Sequence, residues 1–340
     1  MSEVRDLACG KWPRILEAAG VDPIVLNGHH HPCPACGGTD RFRYFVIKTE
    51  YGDPDFGSYY CSSCGPGDGL SLLTKMRGSF NAAANLVREI LGNSNFKSLP
   101  IQPSKPVVRD LKKIHDSLEK VAQGSSRVIP GDTVWRYLKG TRWLDLNEFP
   151  KAIKIHPNLG YYQKGDGGKT VKVGEFAAMV AVVRSPDGRA VSLHRTFLSK
   201  AATKAPVECP KKLMKGLDGM HGGAIRLYPS TNVLAIAEGI ETALAVHCLT
   251  GLPVWAAISS GMMKNIILPD DVKEVIIFAD NDLPDHLGRR AGQEAAEALR
   301  IRLEAEGRKV VVKLPPVPGT DFADVWENRC KEKVGKEMAA

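Results

Sequence analysis

No run of apolar residues in this chain approaches the ~20 needed to cross a bilayer, so no membrane-spanning part is expected. Its first twenty residues, MSEVRDLACGKWPRILEAAG, carry acids and lack an apolar signal core, which predicts a cytoplasmic protein. An acidic excess is missing too. With 46 Lys and Arg against 38 Asp and Glu, the formal net charge is +8, which favours polyanionic partners. A P-loop is also absent. GDGGKT, residues 165–170, imitates the end of one, but the motif demands glycine where the chain has Gln163, and VKVGEFAAMV beyond it does not read as a helix. The segment is expected to be a hairpin tip, and no helicase motor is expected in the chain.

In a reducing compartment the eight cysteines do not predict a disulfide framework. Cys9, Cys209, Cys248 and Cys330 stand apart and read as ordinary thiols. Cys33, Cys36, Cys61 and Cys64 form C-x2-C-x24-C-x2-C, a spacing that predicts a structural Zn²⁺ site closed by four thiolates. Glycines follow both pairs where tight turns need them. His29, His30 and His31 are expected to lie in a solvated turn, since four thiolates complete the site. Between the pairs runs DRFRYF. Phe42 and Tyr44, at period two, are expected to build the ribbon's small core, leaving Arg41 and Arg43 as candidate template contacts.

The strings HPCPACGGTDRFRYF and YYCSSCGPGDGLSLL resemble the zinc-binding domain of phage and plasmid primases, including the primase-helicases. That resemblance implies a ribbon that reads single-stranded DNA template. It spans residues 24–92.

Further along, GLSLLTKMRGSFNAAANLVREILG has helical spacing broken at Gly78 and closed by Gly92, which predicts a short helical pair. Residues 93–109 are polar and Pro-containing and read as a linker. Residues 109–123 and 132–140 are expected to be helical. From 150 to 200 the pattern alternates, with SPDGRA marking a hairpin. From residue 233, VLAIAEG, LPVWAAI, VKEVIIFADND and RKVVVKLPP alternate with helical runs, one expected from Leu287 to about Gly307. Such alternation predicts a doubly wound, mostly parallel sheet with ligands at the strands' carboxyl ends. The fold expected is multidomain: a small β zinc ribbon with short helices (1–92), the linker, an α+β basic domain (110–229) and an α/β domain with a C-terminal tail (230–340).

Acids gather where that rule puts chemistry. Glu238 ends the first strand, Asp280 and Asp282 end a later one, and Asp321 and Asp324 follow the last. Carboxylates so placed repel unless cations neutralise them, and hard oxygen donors suit Mg²⁺ or Mn²⁺. For Asp321 and Asp324 a helix N-cap is the rival reading. AEGIETALA and FADND resemble the Toprim domain of bacterial primases, topoisomerases, some nucleases and the RecR recombination proteins. The resemblance covers residues 230–327 and implies metal binding and catalysis by Glu238, Asp280 and Asp282, with Asp324 or Asp321 added. Upstream, HRTFL and the lysine of TKAP resemble the basic region of phage and plasmid primases. Arg195, Lys204 and Lys211 are therefore the expected nucleotide and template contacts, with Lys200 and Lys212 beside them.

Together these resemblances imply a DNA primase that joins NTPs into short RNA on single-stranded DNA by two-metal nucleotidyl transfer, working with a separate replicative helicase. Whether Glu238 acts as base or metal ligand is left open. Two alternatives stand beside it: a non-catalytic zinc/Toprim DNA-binding recombination mediator, and a Toprim nuclease.

Overall fold

The computed structural model describes residues 2–45, 56–61, 64–92, 110–164, 170–284 and 290–339, in two compact units, Met1–Val108 and Arg109–Ala340. The expected linker, and residues 165–169 of the P-loop-like segment, lie outside the described residues.

In the first unit a four-stranded antiparallel sheet runs in chain order: β1 (His30–Cys33), β2 (Gly37–Tyr44), β3 (Tyr59–Cys61) and β4 (Gly65–Gly67). Alternation decides its core. Phe42 and Tyr44 are buried opposite Cys61 and Tyr59, and the Phe42 and Tyr59 rings stack at 5.2 Å. Two helices that the sequence reading did not resolve, α1 (Ser2–Ala8) and α2 (Trp12–Ala18), bring Val4, Trp12, Ile15 and Leu16 into this core. A side chain at Gly69 would put its Cβ 2.0 Å from the Trp12 ring, so only glycine lets the indole pack there. Gly69 opens α3 (Gly69–Arg77), which Asp68 and Ser71 cap reciprocally. Gly78, at φ +72°, ends α3 ahead of α4 (Phe80–Gly92), as the break in the pattern predicts.

The second unit holds two five-stranded sheets. After α5 (Leu111–Gln123), the first sheet is antiparallel and ordered β5 (Ser126–Arg127), β6 (Ile153–Lys164), β7 (Thr170–Arg184), β8 (Ala190–Leu198) and β9 (Lys211–Leu213). Between β5 and β6, the helix expected over 132–140 is only partly regular. A short α6 (Thr133–Trp135), capped by Asp132, passes into a π-helical turn, Arg136–Thr141, that turns Tyr137 and Leu138 inward.

The second sheet is ordered β10 (Ile225–Arg226), β12 (Val254–Ala256), β11 (Val233–Ala237), β13 (Glu274–Phe278) and β14 (Lys309–Lys313), and only β10 is antiparallel. Its helices are α7 (Ile240–Thr250), α8 (Ser260–Met263), α9 (Ala291–Ala305) and α10 (Phe322–Ala339). The expected mixture of ribbon, α+β part and mostly parallel α/β part is therefore what the chain forms. One boundary differs. β12 stops at Ala256 because Ile258, at φ +77°, turns the chain out of the sheet. The expected helix start at Leu287 lies outside the described residues; helix α9 begins at Ala291, behind an extended Arg290. Helix α7 is buried from Ile240 to Val246, with Glu241 and Thr242 enclosed among its apolar residues, as a helix packed on both sides is.

Candidate active site

In the ribbon, each CxxC pair closes a turn between two strands, and the four sulfurs lie within 4.8 Å of one another. The Cys33–Cys64 and Cys36–Cys61 separations are 3.9 and 3.6 Å. A tetrahedron with Zn–S bonds of ~2.3 Å has an edge of about 3.8 Å, so the sulfurs stand where Zn²⁺ needs them. The Cys64 N–H donates to Cys61 Sγ at 3.3 Å and fixes the second turn. The neighbouring sulfurs of Cys61 and Cys64, followed by burial, raise the Cys33 thiol's pKa, so a cation is needed to hold four thiolates here. His31 bonds Asn27 at 2.9 Å, and none of the three histidines joins the sulfur cluster.

On the ribbon's outer face the register aligns His30, Arg43, Tyr60 and Pro66 across the four strands. Tyr60 and Arg41 are exposed. Arg43 is half-buried, and its Nε donates to the Gly28 carbonyl at 2.9 Å, so it also ties the sheet to the loop before it.

The acids of the second unit sit at the carboxyl ends of β11, β13 and β14. From β11 the chain runs to β12 on one side, while β13 lies on the other, so Glu238 and Asp280 flank the point where strand order reverses. One oxygen of Asp280, Oδ1, is buried without a hydrogen-bond partner. Burial, then the charges of Glu238, Asp321 and Asp282, push its carboxyl up to about 7. Glu238 is likewise raised, by burial and then by Asp282, while the Ser260 N–H and Lys211 act against that. Asp282 accepts from the Gly292 N–H at 2.6 Å, at the start of α9. A Cβ on Gly292 would lie 2.9 Å from that carboxylate and 3.1 Å from the Asp280 carbonyl. These acids do not crowd as the sulfurs do, but a mutually repelling set with one orphaned oxygen fits a divalent cation.

Asp321 and Asp324 play different parts. Asp321 Oδ1 accepts from the Ala323 and Asp324 N–H groups, and Asp324 Oδ2 accepts from the Asp321 N–H at 3.0 Å. The pair thus caps α10 reciprocally. Asp321 also acts on the charge of Asp280; the carboxylate of Asp324 is turned back to the cap.

Two of the expected cations, Lys211 and Lys204, approach from the other sheet. Lys211, on β9, bonds the Glu241 carboxylate at 2.9 Å. Lys204 has its pKa lowered, first by burial and then by Lys211, with Arg142 adding to the effect and Glu241 and Asp321 opposing it. Arg195 does not join them. In register it pairs with Lys212, and it lies over the Phe197 ring at 5.7 Å on the sheet face opposite Lys211. Lys212 lies 4.0 Å over the Tyr161 ring, and Lys200 is exposed beyond the end of β8.

Several residues were missed by sequence reasoning. Asn281, between the two aspartates, is held by Thr320, Gly319, Pro315 and Gln293, so its neighbours are fixed in direction. His194 is buried on the Lys211 face, and desolvation pushes it down to about 4. Glu241 is buried and held down to about 2: burial alone would raise it, but the charge and hydrogen bond of Lys211 prevail. Nothing in a single sequence separates these from ordinary helix and strand positions, except that a Glu facing an apolar helix core calls for a partner.

Compared with known proteins, residues 28–70 match the zinc-binding domain of primase-helicase, residues 112–227 a domain of unknown function, and residues 233–332 the Toprim domain. Among solved structures, the chain is similar to the zinc-binding and RNA polymerase domains of the Aquifex aeolicus primase, at 16% identity over 88% of this chain and 79% of that one, TM-score 0.42. It is similar to a DNA primase domain from Pseudomonas aeruginosa, at 17% identity over 63% and 74%, TM-score 0.43. A third likeness is to the primase fragment of the bacteriophage T7 primase-helicase, at 16% identity over 91% and 98%, TM-score 0.37. The domain matches, a zinc-binding domain of the primase-helicase kind ahead of a Toprim domain, support a primase-type protein. Among the described residues no helix is long and apolar enough to cross a membrane.

Proposed function

We propose that the protein is a DNA primase that joins NTPs into short RNA primers on single-stranded DNA, in the cytoplasm and alongside a separate replicative helicase. The observation that carries this reading is the meeting, around Lys211, of a cationic strand with an acidic sheet edge, in a chain that also bears a primase-helicase type ribbon.

In this reading Glu238, Asp280 and Asp282 hold Mg²⁺ or Mn²⁺, with Asp321, whose charge acts on Asp280, rather than Asp324 as the further acid. When bound, the metal pair lowers the pKa of the attacking 3′-hydroxyl and neutralises charge at the phosphorus and on the departing pyrophosphate. The chain's own residues do the rest. Lys211 and Lys204 bind and orient the triphosphate. Glu238 either ligates or accepts the hydroxyl proton, for which its raised pKa suits it. The hydrogen bonds of Asn281 and the Gly292 N–H hold the two aspartates in place. Arg41 and the exposed ring of Tyr60 offer a phosphate contact and a stacking surface to the template.

The test is de novo synthesis on single-stranded DNA of varied sequence with labelled NTPs and Mg²⁺ or Mn²⁺, repeated with Asp280→Ala and Cys61→Ser. Short RNA that is lost in the first variant, and reduced or despecified in the second, supports the reading. Zinc-dependent DNA binding without product replaces it with a recombination mediator; template degradation replaces it with a nuclease.

A further inference from the structure

Three residues beyond Glu238 stands a carboxylate that neither meets solvent nor joins the acids. The Glu241 side chain is 4% exposed, and both of its oxygens are engaged. Oε1 accepts from the Tyr137 hydroxyl and Oε2 from Lys211 Nζ, each at 2.9 Å. Glu241 is thus engaged as the shared partner of Tyr137 and Lys211.

A buried ion pair is a poor way to gain stability, because apolar side chains of the same volume do as well or better. The pair therefore calls for another use, and Lys211 suggests it. Its side chain remains 39% exposed, so the ammonium is anchored on one side and open on the other. It is also the cation whose field reaches both Glu238 and Asp280. A lysine on a three-residue edge strand has four flexible carbons between backbone and charge, and unanchored it spreads that charge over many rotamers. The anchor is itself held. Tyr137 comes from the π-helical turn Arg136–Thr141, a distortion that such turns commonly show beside functional groups.

We propose that Glu241 and Tyr137 are positioning residues that aim the Lys211 ammonium into the acid-lined crevice, where it grips the triphosphate of an incoming nucleotide. The ligand's identity rests on the nucleotidyl-transfer reading above. The geometry of anchor and cation does not.

The test is calorimetric titration of the full chain, in Mg²⁺, with an NTP whose α and β phosphates are joined by a methylene group. Wild type, Glu241→Gln, Lys211→Met, the double variant and Tyr137→Phe are compared, and melting temperatures are taken on the same samples. Glu241→Gln keeps the volume and removes the charge; it is expected to weaken binding about tenfold, as loss of a charge-assisted contact does. Lys211→Met is expected to weaken it at least as much, and the double variant no further than Lys211→Met alone. Tyr137→Phe leaves the ion pair and is expected to weaken binding about threefold. Should Glu241→Gln prove unfolded at the assay temperature, Tyr137→Phe carries the same test. Wild-type affinity in a folded Glu241→Gln, or losses that multiply in the double variant, overturns the proposal; so does a wild type that binds no triphosphate. Primer synthesis by wild type is measured alongside. Binding with the expected coupling but no primer sinks the primase reading and leaves the positioning role standing.

Discussion

Thr242 Oγ1 donates to Asp321 Oδ2 at 3.2 Å, tying the first turn of α7 to the cap of α10. The residue before it, Glu241, holds Lys211. Two adjacent side chains on one buried turn therefore secure a cation and an acid of the same site. Asp321→Asn is expected to lower primer synthesis at least tenfold, because it removes a charge that acts on Asp280. Asp324→Ala is expected to cost a cap worth about 1 kcal/mol while leaving the rate within about twofold. Paired melting curves and initial rates decide it, and equal rate losses in the two would return Asp324 to the metal set.

Asp280 carries a buried oxygen without a partner, which is a defect in a folded protein that binds no metal. Asp280→Asn is expected to melt about 5 °C higher than wild type in EDTA at pH 7.5 and to make less than about a thousandth of its primer. Calorimetry and the synthesis assay measure the two effects. A variant that melts lower than wild type in EDTA contradicts the electrostatic account.

The same carboxylate sets a pH dependence whose sign can be worked out. Its pKa rises from 3.8 to about 7 on folding, so between those values the folded chain holds a proton that the unfolded chain has lost. Metal-free stability from this group therefore falls as pH rises through that window. The advantage of Asp280→Asn is expected to be full above pH 7 and to vanish near pH 4. His194, lowered from 6.5 to about 4 by burial, acts in the opposite sense: its contribution is lost as pH falls from 6.5 to 4. Thermal melts of both proteins across pH 4–8 separate the two, since His194 is common to both and cancels in the difference.

In the ribbon, Arg41 and Arg43 are expected to part company. Arg41→Ala should weaken single-stranded DNA binding on all sequences and reduce the salt slope by about 0.7. Arg43→Ala removes the bond to the Gly28 carbonyl as well, so it should lower the ribbon's melting temperature, which Arg41→Ala leaves alone. Fluorescence anisotropy at several salt concentrations, with a melt of each variant, tests the contrast.

Much of this arrangement was legible in the chain because its chemistry and its periodicity coincide. Two CxxC pairs leave few choices but a four-sulfur site, and strands that end in EG and DND carry their acids to a sheet edge whatever the packing around them. The cations were harder. β8 is buried on both faces, so it has no alternation to read, and nothing in HRTFL says that Arg195 faces away while His194 and Thr196 face the lysine. Glu241 was hidden in another way. Inside IETALAVHC it looks like one polar residue of an exposed helix, and only the packing of α7 on both sides makes it a buried charge in need of Lys211. Asn281 stood in plain view between two aspartates, and its four partners come from stretches far along the chain.

Strand β9 lies at the edge of its sheet, bonded to β8 alone, and begins with two lysines. Edge strands err by slipping one residue, and each slip turns a strand's side chains over to the opposite face. Here such a slip brings Lys212 to the side that Lys211 now occupies. A doubled lysine therefore makes the position tolerant of misregistration: after a one-residue slip a cation still stands on the face that Lys211 now holds.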